Sequence, residues 1–340
     1  MAVSCAYCWV LLEETGVLMD KDIIILKQIV MEALGMELGH IDRVIPAGGL
    51  TNKSYKVHIE NKDYIIRLPG AGTTQLINRT DEKINTRLIN HLKIDGNLIY
   101  FNPHTGVKIS EFIEGAKELT CQTARLNENM IQVAETLKTL HTSGITMNNS
   151  FNVFDKIISY ERLLEEAGGE FFSDYIPIRR SIMDFEYRLK DYNVPVVACH
   201  NDTVPGNFIR NYEGRIYLID WEYSGMNDNM WDLASYSLRC DFSQDEEEQL
   251  LHLYFNGEVE EHYKSRVAIY KICQDLLWAL WALYKQIQGE DFSDYAIQRY
   301  TRAKKSLENF IPCKSQLNIF MLAGDSPSVR WYDTVPRIGG

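Results

Sequence analysis

Apolar and polar positions follow two different patterns along the chain, and the change between them separates a β-rich part from a helical part. Residues 20–35 carry apolar side chains three and four positions apart, which predicts an amphipathic helix. The runs at 54–59 and 64–68 are short, rich in β-branched and aromatic residues, and separated by a polar turn at 60–63. This arrangement predicts a β-hairpin.

Beyond the hairpin, helical spacing becomes the main pattern. A helix is predicted at 81–92 and a short strand at 107–113. From Asn127 onward long helices are expected, interrupted by an apolar island at 194–221 that holds a second hairpin around the turn at 212–214. The pattern predicts an α+β protein with a small β-rich lobe followed by a larger, mainly helical one.

The same pattern sets the expected domain boundaries. Residues 21–115 are predicted to form the N-terminal lobe, and residues 116–312 the C-terminal lobe. Residues 1–20 are expected to be an extra N-terminal segment. Residues 313–340 mix Ser, Pro and Gly without a period, which indicates a loosely held tail.

Composition narrows the class of partner. Of the 340 residues, 45% are hydrophobic and 24% charged, which is typical of a globular protein. The net charge is −12, and no basic run offers a track for phosphate backbones, so nucleic acid is not an expected partner. No apolar run reaches the length of about 18 to 20 residues that a membrane helix needs. Monomer and homodimer both stay open.

The seven cysteines are an odd number in a long chain, and most lie in apolar runs. They predict reduced thiols in a cytoplasmic protein. Cys5 and Cys8 form an isolated C-x-x-C motif without a second ligand pair nearby, so no metal or redox centre is predicted there. The apolar segment at 2–12 has no preceding Lys or Arg and is followed directly by two glutamates, so it is a poor signal peptide.

The most informative stretch is His200 to Asn207, which has the form H-x-D-x-x-x-x-N. Asp220 follows thirteen residues later, at the end of an apolar strand. This is the spacing of a kinase catalytic loop with its magnesium-binding aspartate. Asp202 is the expected acceptor of the proton of a substrate hydroxyl. Asn207 and Asp220 supply the hard oxygen ligands that Mg²⁺ prefers.

Each of these parts also has an ordinary structural interpretation. His200 to Asp202 can be a turn closed by an Asx side chain, and Asp220 can cap the residues that follow its strand. The joint spacing favours the catalytic interpretation, because unrelated turns have no reason to keep it.

The first hairpin offers groups for phosphate binding. Gly48 and Gly49 precede a small polar run with Asn52 and Ser54, so backbone N–H groups there can approach an anion. The spacing matches neither the Walker A motif nor G-x-G-x-x-G, and an ordinary hairpin turn is the alternative.

The second strand adds a cation at the place where protein kinases have lysine. Arg67 can hold phosphate oxygens in pairs, and Glu82 on the following helix can hold Arg67 in place. A surface acid is the simpler alternative for Glu82. The segment at 110–113, with Glu111 and Ile113, lies where an interlobe hinge would offer backbone groups to adenine.

Five segments carry a family resemblance. They are CHNDTVPGNF (199–208), YLIDWEYSGMNDNMWDLA (217–234), GGLTNKSY (48–55), LLWALWALYKQIQGEDFSDYAIQRY (276–300) and LINRTDEKINTRL (76–88). Over residues 40–305 the sequence resembles the choline/ethanolamine kinases, within the aminoglycoside-phosphotransferase-like kinases. The segment at 76–88 looks most like the bacterial choline kinases, and arginine at position 67 also occurs in this family.

The resemblance implies a two-lobed protein-kinase-like fold with ATP and Mg²⁺ as cofactors. It implies transfer of phosphate to the hydroxyl of choline, giving phosphocholine and ADP. It assigns Asp202 as the catalytic base and Asn207 and Asp220 as metal ligands. Ethanolamine, another amino alcohol, thiamine or an aminoglycoside is the alternative acceptor.

The resemblance also implies an aromatic pocket for the quaternary ammonium, onto which Tyr223, Trp278, Trp281 and Tyr295 fall. A trimethylammonium group has no N–H to donate, so ring faces are its natural contacts. Trp278 and Trp281 are three apart on a predicted helix and therefore share a face. An aromatic stripe at this spacing is otherwise typical of a core.

One position departs from the family. An acid usually follows the aspartate of the W-D-L-A segment by seven residues and helps to neutralise the choline cation. Counted from Asp232, this position holds Arg239. Asp241 or Glu222 is the expected substitute, so Glu222 joins the predicted substrate-binding residues, and the identity of the acceptor stays open.

Overall fold

The structure of the protein is a computed structural model that describes residues 20–36, 41–48, 52–70 and 73–310. The predictions for residues 1–19, including Cys5 and Cys8, lie outside the described residues, as do those for Gly49 and for the tail at 313–340.

The smaller lobe consists of a five-stranded antiparallel sheet with helix α1 (Asp20–Leu34) against it. The predicted helix and hairpin are confirmed. Glu60 and Asn61, both at positive φ, form a turn shorter than predicted. In the spatial order β1-β2-β3-β5-β4, the strands are β1 (Ile41–Pro46), β2 (Lys53–Ile59), β3 (Lys62–Leu68), β4 (Leu98–Phe101) and β5 (Lys108–Glu111).

Strand alternation decides what each face of this sheet does. Successive side chains of a strand point to opposite faces. One face therefore packs its apolar side chains on α1, namely Tyr55, Val57, Ile59, Ile66 and Ile109 on Leu26 and Val30. On the other face, Ser54 pairs with Arg67 and Arg67 pairs with Lys108. The register thus places two cations side by side on the face away from α1.

The larger lobe is mainly helical. The predicted β island is confirmed as two small sheets, one of strands β6, β8 and β9 and one of β7 and β10. The strands are β6 (Lys117–Glu118), β7 (Val197–Cys199), β8 (Phe208–Arg210), β9 (Ile216–Leu218) and β10 (Gly225–Asn227). The helices are α2 (Arg79–Ile89), α3 (Asn127–His141), α4 (Val153–Glu166), α5 (Tyr175–Met183), α6 (Phe185–Asp191), α7 (Met230–Arg239), α8 (Gln244–Phe255), α9 (Glu261–Ile287) and α10 (Ser293–Phe310).

Helix α2 connects the lobes. It begins two residues earlier than predicted, because the Asn78 side chain accepts from the N–H groups of Thr80 and Asp81 and caps the helix there. Its apolar residue Ile89 belongs to the hydrophobic cluster of the larger lobe, although it precedes the sheet's last strands in sequence. Because α2 is anchored in that cluster by Ile89, a polar residue such as Glu82 on the same helix has a fixed position at the junction of the lobes.

The expected small β-rich lobe and larger helical lobe are both present. Within the ranges described, no helix is both long and apolar enough to cross a bilayer.

Candidate active site

The loop before β8 brings two of the predicted reactive groups together. Asn207 ends a short 3₁₀ turn and donates from Nδ2 to the Asp202 carbonyl oxygen at 2.8 Å and to the Asp202 carboxylate at 3.5 Å. The Asn207 carbonyl accepts from the N–H of Ile219 at 2.9 Å. Because Ile219 precedes Asp220, the hairpin of β8 and β9 carries all three predicted groups to one end of the strands.

Asp220 leaves β9 in a left-handed conformation, with φ of 66°. A non-glycine residue at positive φ is uncommon, and such backbone is often found at functional sites. Its carboxylate is 29% exposed and accepts from Arg67 of the smaller lobe at 3.2 Å. The kink therefore directs the third predicted oxygen group at the junction of the lobes.

Helix α7 holds the loop from behind. The buried Asp232 carboxylate accepts from the backbone N–H groups of His200 and Asn201, each at 2.8 Å. His141 Nε2 lies 3.0 Å from the same carboxylate, and the Trp231 indole donates to the Asn201 carbonyl. These contacts fix the backbone immediately before Asp202, so the position of Asp202 does not depend on its own side chain.

His141, Cys199 and Asp232 come close enough together to suggest a metal cluster. All three are already engaged: His141 with Asp232 and Tyr254, and Cys199 with the Asn227 carbonyl. Burial also raises the pKa of the Cys199 thiol well above its ordinary value, which disfavours the thiolate that metals bind. The group supports the loop.

Arg67 and Glu82 form the predicted ion pair. Arg67 Nη1 donates to Glu82 Oε1 at 2.5 Å, and Nη2 donates to the Gly106 carbonyl at 3.2 Å. Burial alone raises the pKa of Glu82, but the charge and hydrogen bond of Arg67 hold it below its ordinary value. Glu82 therefore stays ionised and keeps Arg67 turned towards Asp220.

Arg79, at the start of α2, was missed by the sequence analysis. It donates to Glu82 Oε2 at 2.6 Å and to Glu222 Oε2 at 2.9 Å, so Glu82 accepts from two arginines. Lys108, paired with Arg67 across the sheet, was missed as well and lies close enough to lower the pKa of Glu82 further. Arg79 lies in the family segment at 76–88 but was not singled out there, and Lys108 lies in no quoted segment, so only the register and the lobe contact reveal their roles.

Glu222 was predicted to bind the acceptor. In the structure its carboxylate accepts from Arg79 at 2.9 Å and from Asn52 Nδ2 at 3.1 Å, and its part in acceptor binding stays a prediction. Burial and the charge of Asp220 raise the pKa of Glu222 to about 7, against the opposing charges of Arg67 and Arg79. We call Arg67, Arg79, Glu82, Asp220 and Glu222 the interlobe ion-pair network.

The glycine turn lies at the edge of this network. Gly48 has a φ of 79°, which favours glycine, and its carbonyl accepts from the N–H of Ser54 at 3.0 Å. Asn52 connects the turn to the network through its hydrogen bond to Glu222. It also accepts from the N–H of Gly70 at 3.4 Å. Gly48, Asn52 and Ser54 are thus brought together, and Gly49 lies outside the described residues.

The predicted hinge follows β5. The N–H of Glu111 donates to the Asn97 carbonyl at 2.9 Å, and the Ile113 carbonyl accepts from the N–H of Ala116 at 3.1 Å. These two groups are therefore committed within the chain. The contribution of Glu111 and Ile113 to adenine binding stays a prediction.

The predicted aromatic residues come together in one cluster, and its Tyr223 lies close enough to Asp202 for that charge to raise the pKa of the Tyr223 hydroxyl. Tyr223 packs edge-on to Trp278 with ring centroids 5.4 Å apart, and Trp278 lies 6.2 Å from Trp281. Trp281 contacts Tyr295 at 6.4 Å and Phe292, which the sequence analysis did not single out, at 4.9 Å. We call these five residues the ring cluster. Trp278 and Trp281 share a face of α9 as predicted, and both are largely buried.

Cations surround the Tyr295 end of the ring cluster. Arg239, the last residue of α7, donates to the Tyr295 hydroxyl, and its guanidinium lies 5.6 Å from the ring centroid. Arg299 lies 4.9 Å from the same ring and is also hydrogen-bonded to the hydroxyl. Burial alone raises the pKa of Tyr295, but these two charges bring it below its ordinary value. Arg299 is itself neutralised by Asp275 at 2.7 Å.

Arg239 also acts on the predicted base. Burial raises the pKa of the Asp202 carboxyl, and the charge of Arg239 is the largest influence that opposes the rise. The residue that departs from the family pattern therefore contacts Tyr295 and also acts on Asp202 through its charge.

The donor set fits the implied nucleotide and metal. Arg67 Nε is buried and has no hydrogen-bond partner within the described part of the chain, so one more acceptor, such as a phosphate oxygen, fits there. Because Asn207 uses its amide nitrogen to hold Asp202, its amide oxygen stays available as a hard ligand beside Asp220.

Comparison with known proteins agrees with this geometry. Residues 44–251 match the profile of the family described as choline/ethanolamine kinase. Protein LicA of Haemophilus influenzae is 31% identical over 270 residues, which cover 77% of this chain and 78% of that protein.

Solved structures extend the comparison to three dimensions. The choline kinase LicA from Streptococcus pneumoniae is 39% identical and superposes with a TM-score of 0.74, covering 84% of this chain and 98% of its own. A LicA structure in complex with AMP is 38% identical with the same TM-score and coverage. The protein-kinase-like fold that the resemblance implied is confirmed.

Proposed function

The chain belongs to the choline/ethanolamine kinase family, whose members phosphorylate an alcohol, and from that premise we propose that it transfers the γ-phosphoryl group of ATP to the hydroxyl of choline. One observation carries the proposal. Asn207 is hydrogen-bonded to Asp202 and to the backbone of Ile219, which precedes Asp220. Asp220 is in turn hydrogen-bonded to Arg67, and the ring cluster begins at Tyr223, three residues further along the chain.

Asp202 is the proposed base. It orients the choline hydroxyl, whose oxygen forms the new bond to the γ-phosphorus while the bond from that phosphorus to the β–γ bridging oxygen breaks. The hydroxyl proton passes to the Asp202 carboxylate, and ADP leaves. Because α7 fixes the backbone of the loop, the base is in place before the acceptor arrives, and positioning contributes to the rate.

Asn207 and Asp220 are the proposed ligands of the metal. A bound Mg²⁺ would supply positive charge that neutralises the phosphates. Arg67 is proposed to hold the same phosphates through its Nε, which has no hydrogen-bond partner among the described residues, and Glu82 keeps its guanidinium oriented. Gly48, Asn52 and Ser54 are proposed to line the phosphate side of the site.

The ring cluster is the proposed site of the quaternary ammonium. The faces of Tyr223, Trp278, Trp281 and Tyr295 offer a delocalised negative potential and exclude water, which suits a cation without N–H groups. As a consumer of ATP and a small amine, the enzyme is expected to work in the cytoplasm.

ADP release, measured with ATP and Mg²⁺ against choline, ethanolamine, thiamine and an aminoglycoside, tests the proposal. Turnover should be highest with choline. Turnover restricted to thiamine or the aminoglycoside would overturn the choice of acceptor, and ATP binding without turnover of any alcohol would overturn the proposed reaction.

A further inference from the structure

We propose that Arg239 makes the acceptor site selective for a quaternary ammonium over a primary one, and thus for choline over ethanolamine. The inference rests on the proposed function, because it concerns the same site.

The two acceptors differ in hydrogen bonding and not in charge. Both carry one positive charge at the working pH, so a nearby guanidinium disfavours the binding of both cations to a similar extent. A primary ammonium, however, has three N–H groups that must find acceptors once they leave water. A trimethylammonium group has none and is satisfied by ring faces.

The Tyr295 end of the ring cluster offers such a primary ammonium few acceptors. The Tyr295 hydroxyl oxygen already accepts from Arg239 and Arg299, which uses both of its lone pairs. The indole Nε1 of Trp281 is buried without a partner among the described residues, and it can only donate. Arg239 itself is donor-only.

At the Tyr223 end of the ring cluster, the carboxylates of Glu222 and Asp202 lie close enough to raise the pKa of the Tyr223 hydroxyl. Both carboxylates have other roles. Glu222 is hydrogen-bonded to Arg79 and Asn52. Asp202 is the proposed base and faces the reacting hydroxyl. An ethanolamine ammonium would therefore compete with the reaction for Asp202, whereas choline would leave it free.

The position of Arg239 makes it the residue that sets the selectivity between a quaternary and a primary ammonium. It reaches the Tyr295 hydroxyl from the end of α7, and it is the main positive influence on Asp202. A carboxylate at this position would release the Tyr295 hydroxyl from one of its two donors and add an acceptor for N–H groups.

The test compares three variants by the ratio of kcat/KM for choline to kcat/KM for ethanolamine. Arg239→Glu should lower the ratio by about tenfold or more, because a hydrogen bond to a charged group is worth one to two decades of affinity. Arg239→Met, which frees one lone pair of the Tyr295 hydroxyl but adds no acceptor of its own, should lower the ratio by about threefold. Arg239→Gln should fall between them and serves if the Glu variant does not fold.

The ratio removes any effect of the substitutions on proton transfer to Asp202, because that step is common to both acceptors. A merely structural arginine would change KM for both acceptors in proportion. A wild-type enzyme that prefers ethanolamine, or a ratio that Arg239→Glu and Arg239→Gln leave unchanged, would overturn the inference while leaving the kinase assignment intact. Turnover of neither amine would overturn the proposed function and this inference with it.

Discussion

The interlobe ion-pair network and the ring cluster both come close to Asp202 and are built in opposite ways. In the network, buried charges of opposite sign are paired across the lobes, as in Arg67 with Glu82 and Arg79 with Glu222. In the ring cluster the buried groups are aromatic rings, and the two charged side chains that lie over Tyr295, Arg239 and Arg299, are both positive. The difference suits the two proposed roles, a site for an anion with its metal and a site for a cation that makes no hydrogen bonds.

The difference also concerns how each region is held. Breaking a buried ion pair leaves an uncompensated charge, so the network should respond sharply to loss of one partner. A ring cluster loses contact area and cation–π attraction when a ring is removed, which is a smaller and more local effect. Four predictions test this contrast.

The largest effect is expected on kcat when the proposed base, Asp202, is replaced. Asp202→Asn should lower kcat by about a hundredfold to ten-thousandfold, the usual contribution of a general base. The melting temperature should stay within a few degrees of wild type because the loop is held by Asp232. ADP production and circular dichroism measure the two quantities, with Asp245→Asn, an exposed position on α8, as control. Near-normal turnover would remove Asp202 from its role.

In the network, Glu82→Gln should lower the free energy of unfolding by about 3 kcal/mol, because two buried arginines lose their shared carboxylate. Urea unfolding measures it. Glu166→Gln, which affects an exposed pair with Arg162, should cost less than about 1 kcal/mol. Equal costs would show that the buried pairs add nothing beyond surface charge.

In the ring cluster, Trp281→Ala should raise the KM for choline by about thirtyfold, in keeping with a desolvated cation–π contact, and leave the KM for ATP within about twofold. Tyr284→Phe, one turn further along α9, removes only a hydroxyl from a buried ring and should change neither constant appreciably. Parallel increases in both constants after Trp281→Ala would make this tryptophan a structural residue.

The smallest effect is a pH dependence of stability at Glu222. The pKa of the Glu222 carboxyl is raised to about 7 in the folded protein. At pH values between the ordinary pKa of a glutamate and 7, Glu222 therefore holds a proton in the folded protein that it has lost in the unfolded chain. This stabilisation is full below the ordinary value and is lost as the pH rises through 7. Glu222→Gln, which cannot ionise, should therefore gain stability relative to wild type from pH 5 to pH 8. We expect about 1 kcal/mol, since coupled neighbours share the shift. A difference that is constant with pH would contradict it.

Much of the fold and part of the site follow from local sequence. Helix α1, both hairpins and the start of the helical region near Asn127 depend on apolar spacing and turn residues that lie within a few positions of one another. The loop from His200 to Asn207 and the strand before Asp220 follow from the same kind of signal, because a short hairpin separates them.

Contacts between distant segments could not be predicted in this way. Arg79 and Glu222 are separated by 143 positions, and Asn52 and Glu222 by 170, so no spacing connects them. Glu222 and Tyr223 are adjacent in sequence, yet the first joins the network and the second joins the ring cluster. A turn of the backbone after Asp220 decides which residue faces which lobe.

The sequence by itself therefore determined the elements, the order of the lobes and the reactive types at Asp202, Asn207 and Asp220, because these depend on short-range periodicity and chemistry. Only the tertiary structure decided which charges neutralise one another, where Lys108 and Arg79 lie, and that Arg239 lies against Tyr295. Such pairings depend on how the lobes and helices pack, and packing is a property of the whole chain.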